Sequence, residues 1–365
     1  MGIAVIVVAA LLVAGVVYLR QEKLGAAPAG ERLERIRRSP HYRDGKFRNL
    51  SKTPLLSEGH GWGDVMYRNY IKSVPRHHPT DTIPSVKTDL GALPPDTDVL
   101  VWFGHSSYYL QLAGKRILVD PVLSGQASPV PGTVKAFPGT DVYTVDDLPA
   151  VDYLFISHDH YDHLDYPTIV ALRGKVGTVI CGLGVGSHFA RWGYRPEQLL
   201  ERDWYEELAL DGGLRVNVEP ARHFSGRGLA SANTLWASYV VRTPARTVYL
   251  GGDSGYDRHY AEIGAKYGPI DLAILDNGQY DNAWREVHNL PEDALQAARD
   301  LRATSVLPVH SSKFPLAAHP WDEPLRRITA LNADYGLRLV TPMIGEPVRL
   351  DDPEQVFARW WEGVE

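Results

Sequence analysis

The segment Ser157-His158-Asp159-His160-Tyr161-Asp162-His163-Leu164-Asp165 most constrains what this chain can become. Its three histidines and a spaced carboxylate follow directly on the apolar run Val151–Ile156. A run of that length and character reads as a buried strand. The histidines then lie on the loop leaving its carboxyl end, where α/β folds carry their sites. His158 and His160, two residues apart, can point to one side and share a metal ion. Asp162 and His163 lie just beyond and can turn toward a second ion. Imidazole and carboxylate are ligands of zinc and related divalent cations. A solvated loop that merely happens to be rich in histidine is the plain alternative.

Other segments extend this pattern. Strands are expected at 98–103, in a hairpin of Tyr108–Leu112 and 116–119, and at 175–181, 214–219, 235–241, Thr247–Leu250, 271–275 and Ser305–Val309. These runs alternate or are apolar and end in Gly, Pro, Asp or His. Helices are expected at 165–172, with Pro167 just inside the start, at 186–192, and at 291–301, whose first turn holds Glu292 and Asp293. Three of the strands deliver further candidate ligands: His223 after 214–219, Asp253 after Gly251-Gly252, and His310 after Ser305–Val309. Taken singly, each reads as an ordinary loop histidine or turn aspartate. Taken together, they supply two metal positions. His158, His160 and His223 serve one, Asp162, His163 and His310 the other, and Asp253 can bridge because a carboxylate offers two oxygens.

This ligand order resembles the metallo-β-lactamase superfamily, and within it N-acylphosphatidylethanolamine phospholipase D and its bacterial relatives. The resemblance runs over about residues 104–324. It is carried by the stretch 148–166, by Leu235-Trp236-Ala237-Ser238, by Gly252-Asp253-Ser254-Gly255-Tyr256, by Pro308-Val309-His310, and by Phe314, Leu316, Ala317, Glu323 and Pro324. It implies an α/β (α+β) fold, a four-layer αβ/βα sandwich with a dinuclear site at one edge. The expected cofactor is two Zn2+, although the same donors suit Mn2+ or Fe. Two such ions lower the pKa of a shared water toward ~7, and Asp162 and Asp253 would orient it and take up its proton. His288 falls where the family has a histidine near the substrate. It is a candidate for substrate binding or for donating a proton to the leaving oxygen. Tyr280 and Trp236 are candidates for lining a lipid pocket, with a place in the core as the alternative. His105, after Gly104, reads either as a site residue or as part of a tight structural passage. The implied reaction releases N-acylethanolamine and phosphatidic acid. Hydrolysis of a small soluble substrate, a lactone of the L-ascorbate-6-phosphate type or a soluble phosphodiester, is the alternative, because that group shares the ligand pattern.

The N-terminus belongs to a different regime. Gly2–Leu19 carries no charge, and its length approaches the ~20 residues that span a bilayer. Arg20, Lys23, Arg32, Arg35, Arg37 and Arg38 follow it, which puts the rest of the chain in the cytoplasm. A cleaved signal peptide is the rival reading. The expected organisation is a single-pass anchor at 1–24, a linker and extension at 25–95, and a hydrolase domain at 96–365. Trp62, Tyr67, Tyr70 and Ile71 are apolar anchors toward the domain or a membrane. The expected partner is a lipid substrate at the membrane, with a homodimer as the default assembly. A net charge of −6 and a pI near 6.2 argue against a nucleic-acid partner. The single cysteine, Cys181, lies in an expected strand and reads as a buried structural thiol.

Overall fold

The computed structural model describes residues 2–365; the side chains of residues 2–5, 8, 10–12, 14, 69 and 70 lie outside the description, Tyr70 among them. Fourteen strands form two seven-stranded sheets. The first sheet contains β1 (Val99–Trp102), β2 (Tyr108–Leu112), β3 (Lys115–Val119), β4 (Val151–Ile156), β5 (Val176–Gly182) and β6 (Leu199–Arg202). The second contains β7 (Glu207–Ala209), β8 (Arg215–Glu219), β9 (Ser238–Arg242), β10 (Thr247–Leu250), β11 (Leu272–Asp276), β12 (Ser305–Val309) and β13 (Arg338–Leu339). The last strand, β14 (Pro347–Arg349), returns to the first sheet and pairs with β1. Spatial order is β14-β1-β2-β3-β4-β5-β6 in one sheet and β13-β12-β11-β10-β9-β8-β7 in the other.

Successive strand residues point to opposite faces, and the cores follow that alternation. Leu100, Trp102, Tyr153 and Phe155 of the first sheet meet Tyr239, Val241, Leu272 and Ile274 of the second in a shared inner core. Their neighbours Val101, Phe103, Leu154 and Ile156 face outward, against Ile169 and Leu172 of α4 (Tyr166–Leu172) and Phe189 of α5 (Gly186–Arg191). Val240, Tyr249, Ala273 and Leu275 face the other way, against α6 (His259–Tyr267) and α7 (Pro291–Asp300). This is the four-layer αβ/βα sandwich that the resemblance implied. β3, β4, β5 and β6 run parallel, as do β10, β11, β12 and β13. The carboxyl ends of β4, β11 and β12 therefore open on one edge.

One expectation needs correction, and two others are set beside what the structure shows. The strand expected from Leu235 begins at Ser238, because Leu235 and Ala237 give their N–H groups to Leu183 and Ser157, just past the ends of β5 and β4, instead of to a ladder. Residues 25–95, expected as a linker and extension, pack in part on the domain. Ile36 of α2 (Gly30–Arg37) and Phe47 lie in the inner core, and Arg32 reaches Glu201 at 2.5 Å. Gly2–Leu19 forms an 18-residue helix, α1. Among the described residues, however, no helix is long and apolar enough to cross a membrane, so the expected anchor gains no support. Cys181 is buried in β5 as expected.

Candidate metal centre

The donors converge because strands and tight turns aim them. The loop after β4 supplies His158, His160, Asp162 and His163. Gly252, at φ +60°, lets the turn after β10 pass so close to Ser157 that a Cβ there would lie 2.6 Å from that side chain; the next residue, Asp253, then enters the cluster. Gly278 is equally constrained, since a Cβ would meet the His310 carbonyl oxygen at 2.0 Å. His105, Asp120, Gln279, His310 and Ser312 hold φ between +41° and +68° without being glycine. Such conformations cost energy and gather at functional sites.

Two donor groups result. His158 Nε2 lies 2.8 Å from His160 Nδ1, and His223 Nε2 lies 3.3 Å from the same atom. On the other side, His310 Nε2 and His163 Nε2 lie 3.3 and 3.6 Å from Asp162 Oδ2. Asp253 Oδ2 stands between the groups, 3.1 Å from His163 Nε2, 3.2 Å from His310 Nε2, 3.7 Å from His223 Nε2 and 3.8 Å from His158 Nε2. All seven candidate ligands are thus brought together in one cluster.

The second ring nitrogens of His158, His163, His223 and His310 are occupied, which fixes the orientation of these four rings. His163 Nδ1 meets Asp120 at 2.8 Å, His158 Nδ1 meets Ser157 Oγ at 3.0 Å, His223 Nδ1 meets the Val287 carbonyl at 2.9 Å, and His310 Nδ1 meets the Gly278 carbonyl at 3.1 Å. Asp120 also accepts from the Ser157 N–H at 2.8 Å and from its hydroxyl. His105 Nε2 lies 3.0 Å from Asp162 Oδ2, so this residue sits beside the cluster. Asp276, at the end of β11, holds His288 Nδ1 at 2.9 Å.

The electrostatics suit a cation. Burial, aided by neighbouring rings, holds His158 well below the ordinary histidine value, and burial does the same for His223 against the pull of Asp253. These rings are neutral and offer lone pairs. Burial also opposes charge on His163, but Asp253, Asp162 and Asp120 outweigh it and hold this ring at about 10. His310 is raised in the same way, by Asp253 and Asp276. The carboxylates on this side call for positive charge, which a divalent ion would supply in the same place. His163 Nε2 and Asp253 Oδ1 are buried with no hydrogen-bond partner. The donor set therefore fits a metal ion at each of the two groups.

A cavity of about 400 Å³ lies over the donors, and Leu55, Leu56, Trp62, Val65, Met66, Phe224, Trp284, Val287 and Leu316 give it an apolar wall beside His160, Asp162, Asp253, His288 and His310. His288 is where the resemblance placed it. Tyr280 and Trp236 are not in this wall. The Tyr280 hydroxyl donates to Glu323 and its ring stacks on His319. The Trp236 indole is 2% exposed, donates to Asn49 and Ala221, and faces a neighbouring cavity formed with residues 46–53. Both are amphipathic rings whose polar atom found an internal partner.

An αβ/βα sandwich with two convergent His/Asp groups at its edge is the architecture of a metal-dependent hydrolase. A family model described as "Beta-lactamase superfamily domain" matches residues 115–311. An uncharacterized protein of Mycobacterium tuberculosis is 37% identical over 329 residues, 88% of this chain and 87% of that one. An N-acyl-phosphatidylethanolamine-hydrolyzing phospholipase D of Caenorhabditis elegans is 29% identical over 232 residues, 59% of this chain and 64% of that one. The solved structure of a metallo hydrolase from Ignicoccus hospitalis shares the fold, with a TM-score of 0.52 at 22% identity over 69% of this chain and 97% of that one. The chain belongs to the metallo-β-lactamase superfamily and is a metal-dependent hydrolase.

Proposed function

We propose that this chain is a phospholipase D-type phosphodiesterase, releasing N-acylethanolamine and phosphatidic acid from N-acylphosphatidylethanolamine at a membrane surface with two zinc ions. The observation that carries this reading is the apolar wall of the cavity directly over the donors. A small polar substrate would have no use for it, whereas acyl chains bury apolar surface at about 25 cal/mol per Å². The named C. elegans relative points the same way. Trp62 and Met66 of α3 (Trp62–Met66), which line the cavity, and Tyr67 and Ile71, which follow in the chain, are 62%, 52%, 53% and 73% exposed. They suit a substrate presented from a bilayer.

His158, His160 and His223 would hold one ion, Asp162, His163 and His310 the other, and Asp253 both. Ions so held supply Lewis-acid charge at the phosphoryl oxygens and a water of lowered pKa. The chain's own residues do the rest. Asp162 and Asp253 present carboxylate oxygens that orient a water for in-line attack and accept its proton. His288 lines the cavity with Nδ1 held by Asp276. That contact orients the ring, and Nε2 would serve as the proton donor to the departing ethanolamine oxygen. The apolar wall excludes bulk water from the scissile bond.

The purified protein, with its metal content measured, should turn over N-acylphosphatidylethanolamine in detergent micelles, lose activity on chelation and regain it with zinc. Turnover of bis-p-nitrophenyl phosphate alone would refute the lipid reading and move the search to soluble diesters. His288→Gln should lower kcat by about 10²-fold at unchanged metal content; an unaltered kcat would remove His288 from the proton path.

A further inference from the structure

Asp159, the residue between His158 and His160, points away from the donors into a buried polar network. Its carboxylate accepts from Gly226 N–H at 2.7 Å, from Thr234 Oγ1 at 2.8 Å and from His188 Nε2 at 3.1 Å. The other His188 nitrogen, Nδ1, accepts the main-chain N–H of Ala26 at 3.0 Å. That contact selects the tautomer in which Nε2 carries the hydrogen for Asp159. Arg227, 4% exposed, donates from NH1 to the carbonyls of Asp159 and Leu164 at 2.8 and 2.7 Å, and from NH2 to the carbonyl of Lys23 at 2.7 Å. Its guanidinium lies over the Tyr161 ring, 4.2 Å from the centroid. The two loop carbonyls bracket residues 160–163, which include three of the seven donors. Among the described residues no carboxylate lies within ion-pair distance of Arg227. A buried charge that spends its donors on three carbonyls is costly, and what it gains is the shape of this loop.

Residues 20–26 lie across the far side of the network as a strap. Arg191 donates to the Arg20 carbonyl at 3.0 Å, the Trp192 indole donates to the Glu22 carbonyl at 2.8 Å, and Tyr166 donates to the Glu22 carboxylate at 2.9 Å. Gly25 holds φ +74° against His188, where a Cβ would come 2.0 Å from Nδ1. The strap follows directly on α1.

We infer that this strap, acting through the positioning residues His188 and Arg227, sets the conformation of the metal loop, so that docking of the N-terminal segment governs metal affinity. The inference rests on the metal-centre reading and not on the identity of the substrate. Contacts that orient ligands from behind change metal affinity by about 10–100-fold.

The test measures zinc affinity of the full-length protein by competition with a fluorescent chelator. Gly25→Ala and Arg227→Lys should each weaken binding by about tenfold or more. Gly30→Ala is the control: Gly30 also has a positive φ, at +57°, but a Cβ there meets nothing within 4 Å, so it carries the backbone strain without touching His188. Wild-type affinity in a folded Gly25→Ala, or in Arg227→Lys, would overturn the inference. So would an equal loss in Gly30→Ala, which would mark a general effect of a strained N-terminus. Should Gly25→Ala fail to fold, Arg227→Lys decides alone. A wild-type protein that takes up no zinc would refute the metal centre itself, a result distinct from either of these.

Discussion

Asp253→Ala should reduce kcat by about 10³-fold and leave the purified protein with fewer bound metal ions than the parent. Asp253 Oδ2 lies within 3.8 Å of four ring nitrogens, two from each donor group. Losing it would remove a carboxylate from both donor groups, together with the negative charge that would balance cations held there. The neighbours cannot replace it. Asp162 already serves His163, His310 and His105, and Asp276 serves His288 and His310. Metal analysis and initial rates on the same preparation check the result. A variant with full metal content and undiminished kcat would show that the carboxylate does not bridge.

Asp120→Ala should weaken metal binding by about 10–100-fold although Asp120 lies outside the seven-donor set. Its carboxylate is 1% exposed and accepts from the Ser157 N–H, the Ser157 hydroxyl and His163 Nδ1. Without it, His163 loses what holds its Nε2 toward the donors, and the first residue of the metal loop loses its anchor to the end of β3. Leaving buried donors unsatisfied costs about 1–3 kcal/mol each, so the melting temperature should fall as well. Chelator competition and thermal unfolding report the two effects separately. Unchanged affinity with a lowered melting temperature would make Asp120 a purely structural residue.

The contrast between Asp253 and Asp120 shows where the sequence is legible. Asp253 follows an apolar run and two glycines, and three histidines elsewhere in the chain require a partner for it. Asp120 also follows a strand, but Asp-Pro at a strand end reads as a turn, and its partner Ser157 is 37 residues away. The strands were legible because alternating side chains must serve two cores, as Tyr153 and Phe155 face inward while Leu154 and Ile156 face the helices. Residues 25–95 were opaque for the opposite reason. Their order depends on single distant contacts, such as Arg32 with Glu201 and Asn49 with His223, which leave no period in the sequence. The aromatic residues show the same limit. Trp236 and Tyr280 read as pocket or core residues and found internal hydrogen-bond partners, whereas Phe224 and Trp284 line the cavity without any local signal, beside Trp62, which read as an apolar anchor.

The cavity wall has a consequence for how such enzymes diversify. Every donor comes from residues 158–310, whereas Leu55, Leu56, Trp62, Val65 and Met66 come from a segment that contributes no strand to either sheet. Part of the wall, though not Phe224, Trp284, Val287 and Leu316, is therefore encoded apart from the chemistry. Exchanging residues 50–71 between homologues amounts to changing the die while keeping the press, so substrate range can drift under weak constraint while the catalytic edge stays fixed.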